Sequence, residues 1–456
     1  MQPVLNTFYQ QFTDFSIHLK NNLYNIFIKY NLAMYLSLSE TQRLAVDKIA
    51  EGKNVFITGP AGTGKSYLLN YIKEEYKKNS LHITASTGIA AINVGGQTLH
   101  SWAGLGLGNL PLNEILRNIL SVKGTHLRKK LRNAKMLAID EISMISADIF
   151  DMLNNLLKVV RQNNAPFGGI QLILFGDFLQ LPPVNKENKE VFFCFESEAW
   201  QEANIEMITL KEIFRQSDKD LVNLLNNLRF GEITKYDVEL LRSRYKQEDN
   251  DKLFEATILG THNIQVEKIN IKKLENIENQ EKTFKAKFDG KPEKIEFLKK
   301  NCIAPEQLVL KIGAQVMMLK NTFSKEGIIN GSIGIVRSFD KRKGYPVVEF
   351  SNGAVLTITP EEWCVSKFNE NTAEVEIEAM MVQIPLVLSW AITVHKSQGM
   401  TLEKIRCNLG NAFAEGQVYV AVSRVKTLQG LFIDSFNINN VKANKKVIEF
   451  YKKMEE

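Results

Sequence analysis

The stretch VFITGPAGTGKS, residues 55–66, decides the fold class because an apolar strand runs directly into a glycine-rich loop and the start of a helix. It matches the pattern G-x-x-x-x-G-K-[ST], in which backbone N–H groups at a helix N-terminus surround a phosphate. Lys65 then neutralises the β- and γ-phosphates, and the Ser66 hydroxyl ligates Mg²⁺. We therefore expect ATP and Mg²⁺ as cofactors, with the nucleotide held by Gly59, Ala61, Gly62, Thr63, Gly64, Lys65 and Ser66.

Short apolar runs alternate with helical stretches on both sides of this loop, which is typical of parallel βαβ units. The sequence therefore predicts an α/β fold whose first domain covers residues 37–214. Its candidate strands are Val55–Thr58, Leu81–Thr84, Met136–Ile139 and Leu172–Phe175. The alternation breaks at a glycine-rich loop followed by a basic amphipathic stretch, which predicts a small insertion at residues 102–133.

A second α/β pattern starts after Phe214 and resumes near the end of the chain, so we expect a second domain in two parts, residues 215–307 and 386–456. Between them, residues 308–385 contain short strands joined by turns, which predict an inserted small β-barrel. The charged run 268–300 is expected to form a solvated helix. The N-terminal segment, residues 1–36, has no assigned role.

Composition excludes several classes of protein. Hydrophobic residues make up 44% and charged residues 24% of the 456 residues, which excludes a mainly disordered chain. The net charge of +6 is too small for a histone-like binder. The four cysteines are far apart without a C-x-x-C pair, so neither zinc nor disulfides are expected. The apolar runs are too short for a membrane span, and the start of the chain does not resemble a secretion signal.

Two acidic residues follow the candidate strand Met136–Ile139. At the carboxyl end of such a strand, Asp140 is placed to hold Mg²⁺, and Glu141 is placed to act as the general base that polarises the attacking water. The alternative is a helix N-terminus that favours acidic residues and is capped by Ser143.

Two glutamines are candidates for nucleotide contacts. Gln180 follows the next strand and can report whether the γ-phosphate is present, although a polar loop closed by two prolines gives the same pattern. Gln42 completes S-x-x-Q, a capping box at the start of a helix, and its carboxamide can also bind adenine through N6 and N7. Both roles are compatible for Gln42.

Phosphoryl transfer also needs cations near the developing charge, and an arginine supplied by a second domain makes hydrolysis depend on closure. Arg215 lies at the junction of the two α/β patterns, and Arg424 lies near the end of the chain. On spacing alone, each is more simply explained as a surface residue.

Eight runs of residues, taken in order, resemble the helicase motifs of the Pif1-like superfamily 1B DNA helicases. They are Gly59–Ser66, Ala85–Ala91, Thr98–Gly104, Ile139–Met144, Leu174–Pro183, Phe214–Gln216, Ala391–Met400 and Tyr419–Arg424. The resemblance extends over residues 38–434. An ordered set of this kind is far more specific than any single run.

The resemblance implies two RecA-like P-loop NTPase domains in tandem with ATP between them, a wedge insertion in the first and an SH3-like β-barrel insertion in the second. It implies an ATP-dependent helicase that moves 5′ to 3′ on single-stranded DNA and unwinds duplex DNA in replication, repair, recombination or telomere maintenance. Arg215 and Arg424 then contact the γ-phosphate, Gln180 acts as the coupling sensor, and Gly399 belongs to the nucleotide-binding set.

The same resemblance assigns contacts with the DNA backbone to Thr98, His100, Thr393 and His395. Movement along a single strand needs donors for phosphates and aromatic faces for bases, and loops at strand ends also offer Trp102, Phe178 and Lys396. The open alternatives are that Trp102 anchors the core and that His100 is a buried imidazole with its hydrogen bonds satisfied.

Two other functions stay open. The chain can be a single-stranded DNA translocase, or a RecD-like subunit of a nuclease complex, without independent unwinding. It can also be a binding module that uses ATP only to change shape, although Glu141 and the two arginines are not needed for binding alone. We expect a monomer that binds single-stranded and forked DNA. Because only short segments flank the motifs, we expect a cytoplasmic, prokaryote-like protein, or a nuclear one in a eukaryote.

Overall fold

The computed structural model describes residues 35–76, 80–106, 110–183, 192–251, 253–260, 262–369, 374–411 and 415–455. All but the last two residues of the N-terminal segment 1–36 lie outside these ranges. Helices α1 to α14 are Glu40–Ala50, Lys65–Glu75, Gly88–Asn93, Leu99–Ala103, Leu112–Leu120, Thr125–Asn133, Ala147–Arg161, Glu198–Glu202, Lys219–Phe230, Lys235–Ser243, Asn263–Glu275, Pro292–Asn301, Gln417–Val422 and Lys445–Glu455. No helix within the described ranges has the length and apolar character needed to cross a membrane.

The first half of the chain is built on a six-stranded parallel sheet with the order β3-β2-β4-β5-β1-β6. The strands β1 to β6 are Val55–Thr58, Leu81–Ala85, Gln97–Thr98, Met136–Asp140, Gln171–Phe175 and Glu206–Thr209. The four strands predicted here are confirmed to within one residue at each end. Strands β1, β4 and β5 are almost fully buried because both faces of the sheet are covered, which explains why their sequences are continuous apolar runs.

The expected insertion at residues 102–133 contains two short amphipathic helices, α5 and α6. Their apolar residues Ile115, Ile119 and Leu131 are buried in the core that also holds Trp102. Val122, in the turn between the two helices, is 91% exposed. The turn between the two helices therefore exposes an apolar side chain to solvent.

A second parallel sheet of four strands has the order β18-β7-β19-β20. Its strands are β7 Thr257–Gly260, β18 Ala391–Thr393, β19 Ile405–Asn408 and β20 Leu431–Ser435. The sheet is therefore assembled from strands that lie on both sides of a long intervening segment. The exact limits of the two parts, at residues 307 and 386, stay predictions.

The intervening segment forms three small antiparallel sheets, with the orders β10-β8, β14-β13-β12-β11-β17 and β15-β16-β9. Strands β8 to β17 are Glu281–Lys285, Lys287–Gly290, Gln307–Lys311, Gln315–Met318, Ile333–Phe339, Pro346–Phe350, Val355–Thr357, Glu361–Asn369, Glu374–Gln383 and Leu386–Leu388. Strands β8, β9 and β17 lie outside residues 308–385, yet each pairs with a strand inside that range.

The charged run 268–300 is not one solvated helix, so that expectation is wrong. After α11, the chain forms β8 and β9 and then α12. Phe284 of β8 packs against the core of the neighbouring sheet, while its neighbours Thr283 and Lys285 are exposed. The abundant Lys and Glu residues hide this alternation, because long charged side chains occupy the solvent face of a strand as readily as that of a helix.

The last helix, α14, returns from the second sheet and docks on the first half of the molecule. Val447 and Tyr451 are buried in the core of the first sheet. The ring of Phe450 stacks on Phe195, with 4.2 Å between the ring centroids. The two halves of the chain are therefore in contact through α14 as well as through the segment that joins them.

Candidate active site

A cleft of about 460 Å³ lies between the two parallel sheets. The carboxyl ends of parallel strands meet at one edge of a sheet, so the loops after β1, β4 and β5 all open into this cleft. The residues of the first half that line it include Ala61, Gly62, Thr63, Gly64, Lys65, Ser66, Tyr67, Glu141 and Gln180. The rest of the chain contributes, among others, Phe214, Arg215, Gly399, Thr401 and Arg424. The structure thus brings together most of the residues predicted to bind nucleotide.

The P-loop residue Lys65 is folded back on its own loop. Its ammonium donates hydrogen bonds to the carbonyl oxygens of Gly59, at 2.7 Å, and Pro60, at 2.9 Å. Burial lowers the pKa of Lys65 to about 8, and the nearby Arg215 guanidinium acts in the same direction. A phosphate group in this loop would supply the negative charge that favours the protonated lysine.

Two glycines of the P-loop are required by close approach as well as by backbone conformation. Gly62 has φ +88°, and a Cβ there would lie 2.7 Å from the Arg215 Cβ. Gly64 has φ +81°, and a Cβ there would lie 2.7 Å from Nε2 of Gln42. A side chain at Gly62 would push away Arg215, which lines the cleft, and one at Gly64 would push away the Gln42 carboxamide, which contacts the P-loop.

Gln42 forms the predicted capping box. The Ser39 side chain accepts a hydrogen bond from the Gln42 backbone N–H, and the Gln42 carboxamide oxygen accepts one from the Ser39 backbone N–H at 3.0 Å. The carboxamide Nε2 also donates to the Thr63 carbonyl at 3.3 Å. Gln42 therefore links the start of α1 to the P-loop, and its contact with adenine stays a prediction.

Asp140 ends β4, and Glu141 directly follows it. The Glu141 backbone N–H donates to Asp140 Oδ1 at 3.0 Å, and Glu141 has φ +52°, a strained conformation for a residue with a side chain. Burial raises the pKa of Asp140 to about 6 and that of Glu141 to about 7; the Asp140 charge adds to the shift at Glu141, whereas Lys65 opposes both. The strained turn aims the Glu141 side chain into the cleft, as a general base requires.

The capping alternative for Ser143 is wrong. Ser143 is fully buried within a single 3₁₀ turn, residues 142–144, and its hydroxyl has no hydrogen-bond partner among the described residues. The long helix α7 begins only after Ser146. The acidic pair therefore does not stand at a helix N-terminus capped by Ser143.

Arg215 and Arg424 both line the cleft, as the resemblance implies. Arg215 donates from Nε to Thr401 Oγ1 at 3.0 Å and from Nη1 to the Ser423 carbonyl at 3.1 Å. Arg424 is 2% exposed and donates from Nη2 to Ser423 Oγ at 2.8 Å. Burial lowers the pKa of Arg215 to about 9, with the Arg424 charge adding to the shift, and burial also lowers the pKa of Arg424.

Gln180 lies in the loop after β5 with 6% of its surface exposed. Its Nε2 donates to Asp177 Oδ2 at 3.4 Å. Gly416, which precedes α13, packs so closely on this loop that a Cβ there would lie 2.3 Å from the Gln180 carbonyl oxygen. Gln180 is thus placed where the two halves of the molecule meet.

Sequence reasoning missed two residues that join the halves at the cleft. Tyr419 accepts a hydrogen bond on its hydroxyl from the P-loop N–H of Ala61 at 2.8 Å. Gln216 donates from Nε2 to the carbonyl oxygens of Ser423, at 3.1 Å, and Val425, at 3.0 Å, on either side of Arg424. Both residues stand inside motif runs already quoted, which was the available signal. Their roles depend on contacts between residues some 200 or more positions apart.

Two of the predicted DNA contacts are contradicted by burial. Trp102 is fully buried, with its ring 5.7 Å from that of His82, so the core-anchor alternative is the correct one. Phe178 is 2% exposed, and its ring packs on Phe56, at 5.1 Å, and Phe195, at 4.9 Å. Neither ring offers a face to a base, because each fills the apolar core beneath the loop.

The remaining predicted DNA residues end or follow two edge strands, β3 and β18. Thr98 caps α4, His100 is half-buried, and burial lowers its pKa. Thr393 is buried, with its hydroxyl accepting from the Lys396 backbone N–H at 3.3 Å. His395 is exposed, and Lys396 is half-buried. The DNA-binding roles of these five residues stay predictions.

Comparisons with known proteins place the chain in a family. The family model "PIF1-like helicase" matches residues 37–239, and the model "DNA helicase Pif1, 2B domain" matches residues 293–339. The ATP-dependent DNA helicase PIF1 of Xenopus laevis is 38% identical over 92% of this chain, which spans 65% of that relative's length.

Among solved structures, Bacteroides sp Pif1 in complex with ADP-AlF4 has a TM-score of 0.81 and 33% identity, covering 92% of this chain and 97% of that one. Bacteroides Pif1 bound to ssDNA has a TM-score of 0.61 and 34% identity, covering 91% and 96%. The likeness confirms the predicted fold class, an α/β protein with two RecA-like domains in tandem. The chain belongs to the Pif1-like helicase family.

Proposed function

We propose that this protein is an ATP-dependent DNA helicase that moves 5′ to 3′ on single-stranded DNA and unwinds duplex DNA. One observation carries the proposal: the P-loop and Glu141 of the first sheet share one cleft with two arginines, Arg215 in the segment that joins the two sheets and Arg424 before β20 of the second sheet. A cleft built from two domains couples ATP hydrolysis to domain movement, because the arginines reach the γ-phosphate only when the halves are close. Curated relatives named ATP-dependent DNA helicase support it.

The chemistry follows from the residues on each side of the cleft. Lys65 and the P-loop amides bind the β- and γ-phosphates, and Glu141 accepts a proton from the attacking water. The guanidinium groups of Arg215 and Arg424 neutralise the charge that develops on the transferred phosphoryl group. After hydrolysis that charge is shared between two separate products, which weakens the hold of both arginines and allows the cleft to open.

The residues present suit both expected cofactors. Hydroxyl and carboxylate oxygens are the ligands Mg²⁺ prefers, so we assign Ser66 and Asp140 to hold it; the bound ion would neutralise phosphate charge. The half-exposed Tyr67 and the exposed Phe214 offer apolar surface at the mouth of the cleft. A solved relative carries ADP-AlF4, which supports ATP as the nucleotide of this chain.

We assign the DNA path to the carboxyl ends of β3 and β18, with Thr98 at the end of β3, His100 in α4, and His395 and Lys396 after β18. Solved relatives carry titles that describe binding to ssDNA and unwinding at forked dsDNA by two coordinating Pif1 helicases. The substrates of this chain are therefore proposed to be single-stranded and forked DNA. We propose a role in genome maintenance, with the monomer as the form in solution.

A forked-duplex assay with the purified chain tests the proposal. We expect unwinding of a 5′-tailed duplex with ATP and Mg²⁺, little unwinding of a 3′-tailed duplex, and ATP hydrolysis stimulated by single-stranded DNA. Lys65→Ala should abolish hydrolysis, because the β/γ-phosphate charge loses its counter-charge. The matched control is Lys285→Ala, an exposed lysine of β8 away from the cleft.

Three outcomes would contradict this assignment. Hydrolysis without strand separation would favour the translocase or the RecD-like subunit. Unwinding of the 3′-tailed duplex alone would refute the polarity. A Lys65→Ala variant with unchanged DNA-stimulated ATP hydrolysis would refute the assignment of this cleft as the site of hydrolysis.

A further inference from the structure

A buried polar cluster lies behind the Gln180 loop, and we call it the Asp177 cluster: Asp177, Gln180, Arg229, Tyr451 and Thr58. Asp177 is fully buried and accepts hydrogen bonds from Arg229 through Nε at 3.0 Å and Nη2 at 2.9 Å. It also accepts from the Tyr451 hydroxyl at 3.2 Å and from Gln180 Nε2 at 3.4 Å. Four donor groups from three side chains therefore contact one carboxylate. Asp177 lies three positions before Gln180, the proposed γ-phosphate sensor.

The cluster draws its members from distant parts of the chain. Asp177 belongs to the loop after β5 of the first sheet, and Arg229 lies near the end of α9 in the second half. Tyr451 belongs to α14, which has crossed back to the first half. The Gln180 loop is therefore held by two elements that both follow it in the chain and approach it from different directions.

The hydroxyl of Tyr451 is the junction of the cluster. It donates to Asp177 Oδ1, it accepts from the Phe178 backbone N–H at 3.2 Å, and it lies 2.7 Å from Thr58 Oγ1. Thr58 is the last residue of β1, directly before the P-loop. One hydroxyl thus ties the end of the P-loop strand to the start of the Gln180 loop.

The charges of the cluster are matched. Burial opposes ionisation of Asp177, but the charge and hydrogen bonds of Arg229 outweigh it and lower the pKa of the carboxyl. Burial acts against the charge of Arg229, and Asp177 outweighs it, so the pKa of Arg229 is raised. Burial raises the pKa of Tyr451, so its hydroxyl stays protonated and can donate to the carboxylate.

Helix α14 is anchored apart from this hydroxyl. Val447 is fully buried in the core of the first sheet, and the Phe450 ring stacks on Phe195. Lys446 forms an ion pair with Glu196 at 3.0 Å. Removing the Tyr451 hydroxyl alone therefore leaves the helix docked, which separates the role of the cluster from that of the fold.

We propose that α14 acts as a clasp, by which we mean that it holds the Gln180 loop and the end of β1 at a fixed spacing. Tyr451 is then a positioning residue for hydrolysis that acts through the Gln180 loop. With the hydroxyl in place, Gln180 and the P-loop keep a fixed spacing, so the sensor meets the γ-phosphate when the cleft closes. Without it, the loop shifts relative to the P-loop, and closure no longer aligns the sensor. This inference rests on the proposed ATP hydrolysis and adds α14 and Arg229 to the machinery that controls it.

Steady-state kinetics of DNA-stimulated ATP hydrolysis by the full chain tests the clasp. Tyr451→Phe keeps the ring and removes only the hydroxyl, and we expect kcat to fall at least about 10-fold, because small misplacements of catalytic groups are costly. KM for ATP should change less than about 2-fold, since the P-loop contacts that bind the nucleotide remain. Arg229→Lys keeps the positive charge but loses the bidentate hydrogen bonding to Asp177, and it should lower kcat in the same way.

Val447→Ala is the matched control, because it loosens the packing of α14 without touching the cluster. We expect a lower melting temperature with unchanged kcat at temperatures well below the transition. Wild-type kcat in Tyr451→Phe would overturn the proposal. An equal loss of kcat in Val447→Ala would also overturn it, because the helix would then act only through stability. A wild-type chain without ATP hydrolysis would instead refute the proposed function.

Discussion

Arg424 carries a guanidinium into the cleft with only 2% of its surface exposed. Its hydrogen-bond acceptors are dipoles, the Val420 carbonyl at 2.9 Å, the Ser397 carbonyl at 3.4 Å and the Ser423 hydroxyl. Burial lowers the pKa of Arg424, and the Glu141 carboxylate opposes that shift. A buried cation held mainly by dipoles is arranged to receive an anion, and we propose that this anion is the γ-phosphate of ATP.

The change Arg424→Ala should lower kcat for DNA-stimulated ATP hydrolysis by on the order of 10³-fold, the size of effect that arginine fingers have elsewhere. KM for ATP should change much less, because the arginine is most needed in the transition state. Steady-state ATPase assays at saturating single-stranded DNA measure both constants.

Arg406→Ala serves as the control, because Arg406 pairs with Asp434 on the outer part of the second sheet, at 2.8 Å. We expect it to retain nearly full kcat. Similar rates for wild type and Arg424→Ala would remove this arginine from the mechanism.

At the scale of the element, α1 shows how a local motif supports the site. The capping box of Ser39 and Gln42 satisfies backbone donors at the start of the helix. The same Gln42 contacts the P-loop carbonyl of Thr63. The Gln42 carboxamide therefore links the start of α1 to the P-loop.

We expect Ser39→Ala to lower the free energy of unfolding by about 1 kcal/mol, since the cap loses its side-chain acceptor. The affinity for ATP should change much less, because the Gln42 carboxamide accepts from the backbone N–H of residue 39 and donates to the Thr63 carbonyl, and alanine leaves both contacts in place. Thermal melting and nucleotide titration measure the two effects. Ser39→Asn keeps a capping oxygen and should restore stability; an alanine variant as stable as wild type would mean that the cap is dispensable.

At the scale of the whole molecule, ion pairing between the halves depends on pH. Asp177 faces Arg229 from α9, Tyr451 from α14 and Lys65 from the P-loop. Because the folded pKa of Asp177 lies below the ordinary value of 3.8, its contribution to stability is complete above that value and is lost as the pH falls through the folded pKa. Acid should therefore loosen the contact between the halves.

Asp177→Asn should lower the free energy of unfolding at pH 7 by about 3–5 kcal/mol, because Arg229 is left buried without its counter-charge. The variant should also lose less additional stability than wild type when the pH falls toward about 3. Melting temperatures across this pH range measure both effects. Asp434→Asn, at the surface pair with Arg406, should leave the curve nearly unchanged; a parallel acid loss in wild type and Asp177→Asn would exclude Asp177 as its source.

Local sequence was enough for much of the fold and part of the site. The strand positions, the P-loop and the acidic pair after β4 were all predictable, because each depends on a short run of residues whose periodicity and spacing have a direct physical cause. The cap formed by Ser39 and Gln42 belongs to the same group, since its two partners are three positions apart. The two arginines needed the ordered motifs in addition, because a single arginine carries no local signal.

Burial and long-range contact were decided only by the tertiary structure. Phe178 and Trp102 were predicted to contact DNA, yet their rings fill the core, because an aromatic residue has the same local pattern whether it faces solvent or the interior. For a similar reason, the charged β-strands within residues 268–300 have the composition that predicts a solvated helix. The Asp177 cluster joins Asp177, Arg229 and Tyr451 across more than 270 positions. No local pattern determines such a contact, because it forms only when α14 packs back on the first sheet.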